Sequence, residues 1–208
     1  SDIDINKAMG EGGTALYIAS FFGHVEVVHL LLSNSDIDIN KAADGGFTAL
    51  YIASQNGHVE VVRLLLSKSD IDTNKAKETG STALYMASQN NHVEVVELLL
   101  SKSDIDINKA MENGSTALIM ASQCGHVEVV RLLLSKSGID INKAQKDGAT
   151  ALYRASQNGH LEVVHLLLSK SDIDINKAQK HGCIALSIAS ENGHLEVVRL
   201  LLSKSEID

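Results

Sequence analysis

The 208 residues are 44% apolar but only 3% aromatic, with no Trp and no Pro, which predicts repeated packing of small aliphatic side chains rather than one large irregular core. The formal net charge is −8 and no basic run is present, which excludes the phosphate-directed surface that a nucleic acid partner needs. Apolar runs are short, Leu64-Leu65-Leu66 being typical, whereas a membrane-spanning helix needs roughly 20 such residues, so no membrane insertion is expected.

One spacing organises the whole chain. Leu16, Leu50, Leu84, Leu118 and Leu152, each in Thr-Ala-Leu, and Leu186 in Ile-Ala-Leu recur every 34 residues. His24, His58, His92, His126, His160 and His194 keep the same interval. A fixed period of this length is the mark of a repeat architecture. Six units run 1–34, 35–68, 69–102, 103–136, 137–170 and 171–204, and residues 205–208 open a seventh. Residues 1–208 are read as a single domain, cut from a longer array. Cys124 and Cys183 stand at different places in their repeats and form no Cys-x-x-Cys pair. A reduced, cytoplasmic setting is therefore expected.

Within a unit the elements follow in a constant order. The second unit opens with Ser-Asp-Ile-Asp-Ile-Asn-Lys-Ala (35–42) and a variable stretch (43–46) that ends in Gly. Thr48 then stands where a helix N-cap is wanted, ahead of a short helical segment. Gly57 stands where the end of that helix wants a left-handed residue. A second helix is predicted from Val59 to Leu66. It is apolar almost all round, with Glu60, Arg63 and Ser67 marking one wet stripe. No single unit can bury such faces, so the units must stack.

Thr-Ala-Leu-Tyr-x-Ala-Ser followed by Asn-Gly-His-Val-Glu-Val-Val-x-Leu-Leu-Leu resembles the ankyrin repeat, whose signature runs Thr-Pro-Leu-His and then Gly-His-x-Glu-Val-Val-x-Leu-Leu. The resemblance covers essentially the whole chain, six times over. It implies an all-α solenoid of six helix-turn-helix repeats joined by short hairpin-like loops. It also implies a non-catalytic scaffold for a protein partner. The departures are systematic. The family's Pro is Ala15, Ala49, Ala83, Ala117, Ala151 and Ala185. Pro is preorganised at a first helical position without being required, so helix entry should survive. The His of the signature is replaced by Tyr17, Tyr51, Tyr85 and Tyr153, by Ile119 and by Ser187, which removes the family's usual hydrogen bond within the repeat. The usual period is one residue shorter. The extra residue lies before the hairpin, where a Gly is also lost. The second helix should therefore end differently, in a longer turn anchored by Ile37 and Ile39.

The resemblance places a partner on the hairpin tips and the inner, concave helix layer. Tip residues vary between units while framework residues repeat. Glu11, Asp44, Glu78 and Glu112 mark the first four tips as acidic; Lys146, Lys180 and His181 turn the last two basic, with Asp147 as an exception. Such a pattern can set a partner's register and on-rate, or be no more than solvated turn charge. Phe21 and Phe22 take the place of the Gln-Asn pairs at 55–56, 89–90 and 157–158. They either anchor a partner as hot-spot residues or pack against a preceding repeat. Phe47 at a tip is a third aromatic candidate. Arg154 stands where other units have Ile or Met and is expected in the groove, because a buried unpaired charge is expensive. The uniform Gln-Asn lining carries little information for a partner, which keeps open the alternative of a structural spacer or elastic segment.

No residue pattern calls for catalysis, a cofactor or a metal. The histidines recur one repeat apart, roughly 10 Å, whereas zinc ligands converge within about 2.3 Å of one ion; they are read as closing each turn. The Asp-Ile-Asp alternation sends carboxylates to opposite faces, against the six to eight oxygens that calcium takes. No phosphate loop or nucleophile elbow is present. The chain is expected to act as a monomer.

Overall fold

The computed structural model describes residues 3–10 and 12–204, so Glu11 and the residues at 205–208 assigned above to a seventh unit lie outside it. Among the described residues there are twelve α-helices and no strand, six pairs in register with the six sequence units. The first helices of the units are α1 (Ala15–Phe22), α3 (Ala49–Asn56), α5 (Ala83–Gln89), α7 (Ala117–Cys124), α9 (Ala151–Gln157) and α11 (Ala185–Glu191). The second helices are α2 (Val25–Leu32), α4 (Val59–Leu66), α6 (Val93–Leu100), α8 (Val127–Leu134), α10 (Leu161–Leu168) and α12 (Leu195–Leu202). The chain forms two compact units, Ser1–Asp106 and Ile107–Asp208. In the first, α1, α3 and α5 pack in one layer and α2, α4 and α6 in another; in the second, α7, α9, α11 and α8, α10, α12 do the same.

Local chemistry sets the helix ends. Thr48 Oγ1 accepts from the Tyr51 N–H at 3.1 Å, so the threonine caps α3 without the family's proline. Thr14, Thr82, Thr116 and Thr150 cap their helices in the same way. In the last unit Ile184 replaces that threonine and the hydroxyl moves inside the helix, where Ser187 Oγ accepts from the Ile184 N–H at 2.9 Å. The end of α3 needs Gly57, whose φ is +73°, in the left-handed region that a Cβ disfavours. The second helix does end without glycine. Ser67 keeps right-handed geometry, and its hydroxyl donates to the Leu64 carbonyl at 2.6 Å. In the corresponding turn after α2, Asp38 Oδ1 accepts from the Asn40 N–H at 3.1 Å, an Asx turn. Ile39 is buried beneath it, while Ile37 is only half-buried, so the two share the anchoring role unequally.

The core runs through both layers. Leu50, Leu84, Leu118 and Leu152, with Val62, Val96, Val130 and Val164, are essentially inaccessible to solvent. Glu60, Arg63 and Ser67 form the predicted wet stripe, with Arg63 Nε 3.4 Å from Glu60. Polar stitching then joins each repeat to its neighbour inside a unit. Asn40 Nδ2 donates to the Asp70 carbonyl at 2.7 Å and Asn40 Oδ1 accepts from the Asp72 N–H at 2.8 Å. Lys75 Nζ donates back to the Asn40 carbonyl at 2.8 Å. Asn6, Asn74 and Asn142 make the same two-handed clamp on the repeats that follow them.

The histidines also act between repeats, which corrects the reading of them as closing their own turns. His92 Nε2 donates to the Gln55 carbonyl of the preceding repeat at 3.0 Å, and His58, His160 and His194 reach the Phe21, Gln123 and Gln157 carbonyls likewise. The reason is steric as well as electrostatic. The His92 ring lies so close to Gly57 that a Cβ there would sit 2.6 Å from its nearest atoms.

The fold carries one recurrent liability. Ser20, Ser54, Ser88, Ser122 and Ser156 are fully buried in the first helices, and their hydroxyls have no hydrogen-bond partner. A buried hydroxyl left unpaired costs about 1–3 kcal/mol. Ser54→Ala should therefore raise stability by about 1 kcal/mol, whereas Asn40→Ala, which deletes both arms of one clamp, should lower it by about 1–2 kcal/mol. Chemical denaturation of the two variants beside the parent checks both signs.

Candidate protein-binding surface

Each tip is a closed loop on a rigid base. In the third repeat the Lys77 N–H donates to the Ser81 carbonyl and the Gly80 N–H to the Lys77 carbonyl, both at 2.8 Å. Adjacent tips are tied through the backbone of the charged residues themselves. The Glu78 N–H donates to the Gly45 carbonyl at 3.4 Å, and the Lys146 and Lys180 N–H groups donate to the Asn113 and Asp147 carbonyls at 2.8 Å. The side chains of these residues are left to project outward. A backbone held this tightly presents a fixed array of variable groups, the arrangement that suits recognition loops on a scaffold.

Asp44, Glu78, Glu112, Lys146, Lys180 and His181 are all exposed. Among the described residues Asp44, Glu78, Glu112, Lys146 and Lys180 have no ion-pair partner. The first unit thus carries acidic tips at Asp44 and Glu78. In the second unit Glu112 is followed by Lys146, Lys180 and His181. Glu11 lies outside the described residues.

Asp147 and Arg154 behave differently from the other tip candidates. Arg154 is half-buried and its Nη2 lies 2.6 Å from Asp147 Oδ2, while its Nε and Nη1 donate to the Gln145 and Gln157 side-chain oxygens at 2.7 and 3.0 Å. The guanidinium is satisfied inside its own repeat. It props the tip against α9 rather than standing as a free contact, and it explains why one tip of the basic pair holds an aspartate.

The aromatic candidates fall into two places. Phe21 and Phe22 end α1, both exposed, with their rings edge to face at 4.9 Å; Phe22 also stacks with His24. The Phe21 carbonyl is held by Asn56 Nδ2 and His58 Nε2, so its backbone is framework while its ring is free of it. Phe47 is half-buried, edge-on to Tyr51 at 5.4 Å, with the Lys77 ammonium 4.3 Å from its centroid. The Gln-Asn pairs turn out to be partly structural, since Asn90 Nδ2 donates to the Gln55 carbonyl at 2.8 Å and Asn158 Nδ2 caps its own helix at Arg154.

A feature missed by sequence reasoning lies between the first two tips, a hollow of 590 Å³ lined by Met9, Tyr17, Ile18, Ala43, Asp44 and Phe47 together with two glycines. Its signal was present in one register of the repeat, where Gly13 stands against Phe47, Ser81, Ser115, Ala149 and Cys183.

Burial pushes the Cys124 thiol up, and burial is also the largest cause of the rise at the Tyr153 hydroxyl. Both shifts run away from the anion that nucleophilic chemistry uses. Cys124 and Cys183 are free thiols. Among the described residues no three His, Cys, Asp or Glu side chains gather as a metal site would require, and no helix is long and apolar enough to cross a membrane.

Comparison with known proteins agrees with this architecture. The profile of ankyrin repeats (three copies) matches residues 1–77, 68–145 and 137–208. No curated protein matches the sequence. Among solved structures, the ankyrin repeat protein EF0377 superposes with a TM-score of 0.86 at 24% identity, over 98% of this chain and 99% of that one. An ankyrin repeat domain (ABAYE2397) of Acinetobacter baumannii AYE gives a TM-score of 0.82 at 27% identity, over 90% of this chain and 96% of that one. The all-helical ankyrin-type solenoid expected from the motifs is the fold of this chain.

The role of Arg154 as a prop is open to a direct check. Other repeats hold Ile52, Met86, Met120 or Ile188 in its place, so Arg154→Ile should shift stability by less than about 1 kcal/mol. Truncating the partner instead, in Asp147→Ala, leaves the half-buried guanidinium with amide partners alone and should cost more than Arg154→Ile does. Thermal melts of the two variants rank them.

Proposed function

Because the chain belongs to the ankyrin repeat family, we propose that it is a non-catalytic scaffold holding a protein partner on its hairpin tips and first-helix face. Ankyrin repeats are in general protein–protein interaction modules. The observation that carries the reading here is the division of labour within the repeats. Asn, His and Lys side chains at repeating positions are engaged in stitching, whereas the tip charges Asp44, Glu78, Glu112, Lys146 and Lys180 are exposed and, among the described residues, without ion-pair partners.

The proposed contact residues are Phe21, Phe22, Asp44, Phe47 and Glu78 in the first unit, and Glu112, Lys146, Lys180 and His181 in the second. Glu11 joins them by its place in the sequence. Arg154 contributes by holding its tip. In this reading residues 1–208 act as one domain, as a monomer, inside the cell. Electrostatic complementarity would set which way round the partner sits, and the aromatics would supply most of the affinity.

Affinity capture with two variants tests this. One carries Phe21→Ala, Phe22→Ala and Phe47→Ala; the other carries Asp44→Lys, Glu78→Lys, Lys146→Glu and Lys180→Glu. A partner recovered by the parent should be lost or strongly reduced with at least one of them. Identical recovery with all three proteins would remove the tips and aromatics from the account and favour the spacer alternative.

A further inference from the structure

The hollow between the first two tips has a definite chemical character. Its floor is apolar, made by Met9, Tyr17, Ile18, Ala43 and Phe47, and among the described residues that line it the carboxylate is that of Asp44, exposed on the rim. Its volume of 590 Å³ falls within the roughly 300–1,000 Å³ of pockets that enclose small ligands or large side chains. The hollow exists because Gly13 contributes no side chain. A Cβ there would already stand 3.2 Å from the Tyr17 ring and 3.7 Å from Ile18. At the same register one repeat later stands Phe47, whose ring forms a wall of the hollow.

The apolar surface does not stop at the rim. Ile18 lines the hollow, and Phe21 and Phe22 follow it at three and four residues along α1, the spacing that puts side chains on one helix face. In α3 the equivalents of Phe21 and Phe22 are Gln55 and Asn56, and Asn56 is turned to the Phe21 carbonyl. The aromatic extension therefore belongs to the first repeat.

Charge selects among apolar ligands. Asp44 and Glu78 stand on adjacent tips without ion partners among the described residues. The Lys77 ammonium lies over the Phe47 ring and forms no ion pair with either carboxylate. A ligand that fills the floor with an apolar group and brings a cation to the rim satisfies both features at once. An acidic ligand would meet repulsion at each tip.

We propose that this hollow and the aromatic face of α1 form a docking groove for a peptide segment of a protein partner, one with a bulky apolar anchor residue next to a lysine or arginine. The proposal rests on the scaffold reading above and narrows it to a partner chemistry. The anchor side chain enters over Tyr17 and Ile18, the cation meets Asp44, and the segment continues across Phe21 and Phe22.

The test is selection of a phage-displayed library of random dodecapeptides on the parent protein, with binding of enriched synthetic peptides followed by fluorescence anisotropy. Enriched sequences should carry an aromatic, Leu or Met residue within about two positions of a Lys or Arg. Gly13→Phe, which copies the residue found at Phe47 and fills the hollow, should weaken them at least tenfold. Asp44→Lys, which alters only an exposed side chain, should weaken them severalfold whether or not Gly13→Phe folds, and 0.5 M salt should weaken the parent complex. Peptides that bind Asp44→Lys as tightly as the parent, or a folded Gly13→Phe as tightly, overturn the groove while leaving the scaffold reading in place, as does enrichment of acidic sequences. Failure to enrich any peptide also overturns the groove. The scaffold reading falls separately, if the tip and aromatic variants of the whole chain recover the same partners as the parent.

Discussion

The side-chain amide of Asn40 gives to one backbone group and takes from another in the next repeat, and much else in the structure follows from that reciprocity. An amide is the one short side chain that carries a donor and an acceptor side by side. It can therefore hold the turn of a neighbouring repeat in register through a carbonyl and an N–H two residues apart. Aspartate would repel that carbonyl, and leucine would leave both backbone groups to water. With His92 on the Gln55 carbonyl and Lys75 on the Asn40 carbonyl, the joint between the second and third repeats is fastened at three levels. The aliphatic layers supply the driving force, at roughly 25 cal/mol per Å² buried, but they are indifferent to register. The polar contacts decide which turn lies beside which.

A joint made this way frees the tips. Because the framework is fastened through its own repeating side chains, the charged side chains at the tips need not serve it; their backbone closes a tight loop and ties neighbouring tips, which the glycines at Gly80 and Gly148 permit with φ of +84° and +89°. Composition at the tip can then change from Asp44 to Lys180 without cost to the stack. The exception bears out the rule: where Arg154 entered the first-helix face, Asp147 and Gln145 on the adjoining tip supplied its partners.

The period, the paired helices, the threonine caps and the left-handed glycine were legible in the sequence because each depends on a residue type at one spacing, the threonine and the glycine each holding in five of the six units. Repetition also disclosed the second helix to the residue, from Val59 to Leu66. What stayed hidden were contacts between units of sequence. The invariance of Asn40 and His92 was visible, but a constant residue signals a constant duty without saying whether its partner is four residues away or thirty-seven. The hollow was hidden for the opposite reason. It is defined by a missing side chain at Gly13, and an absence shows only once the surrounding walls of Tyr17, Ile18 and Phe47 are in place. The unpaired serines, such as Ser54, were equally silent, since an alternating Ala-Ser reads as an ordinary small-residue contact.

Magnitudes indicate how the tips and the aromatic face would divide the work of binding. An exposed ion pair is worth about 0–1 kcal/mol, so charges such as Asp44, Glu78, Lys146 and Lys180 could together hold a partner only loosely. Burying one phenylalanine side chain contributes about 1.5–3 kcal/mol, and Phe21 and Phe22 begin largely exposed. Two such rings and an anchor in the hollow therefore outweigh the whole charge row. In the proposed reading the tip charges would act earlier, while partner and scaffold are still apart, when long-range attraction governs orientation and rate.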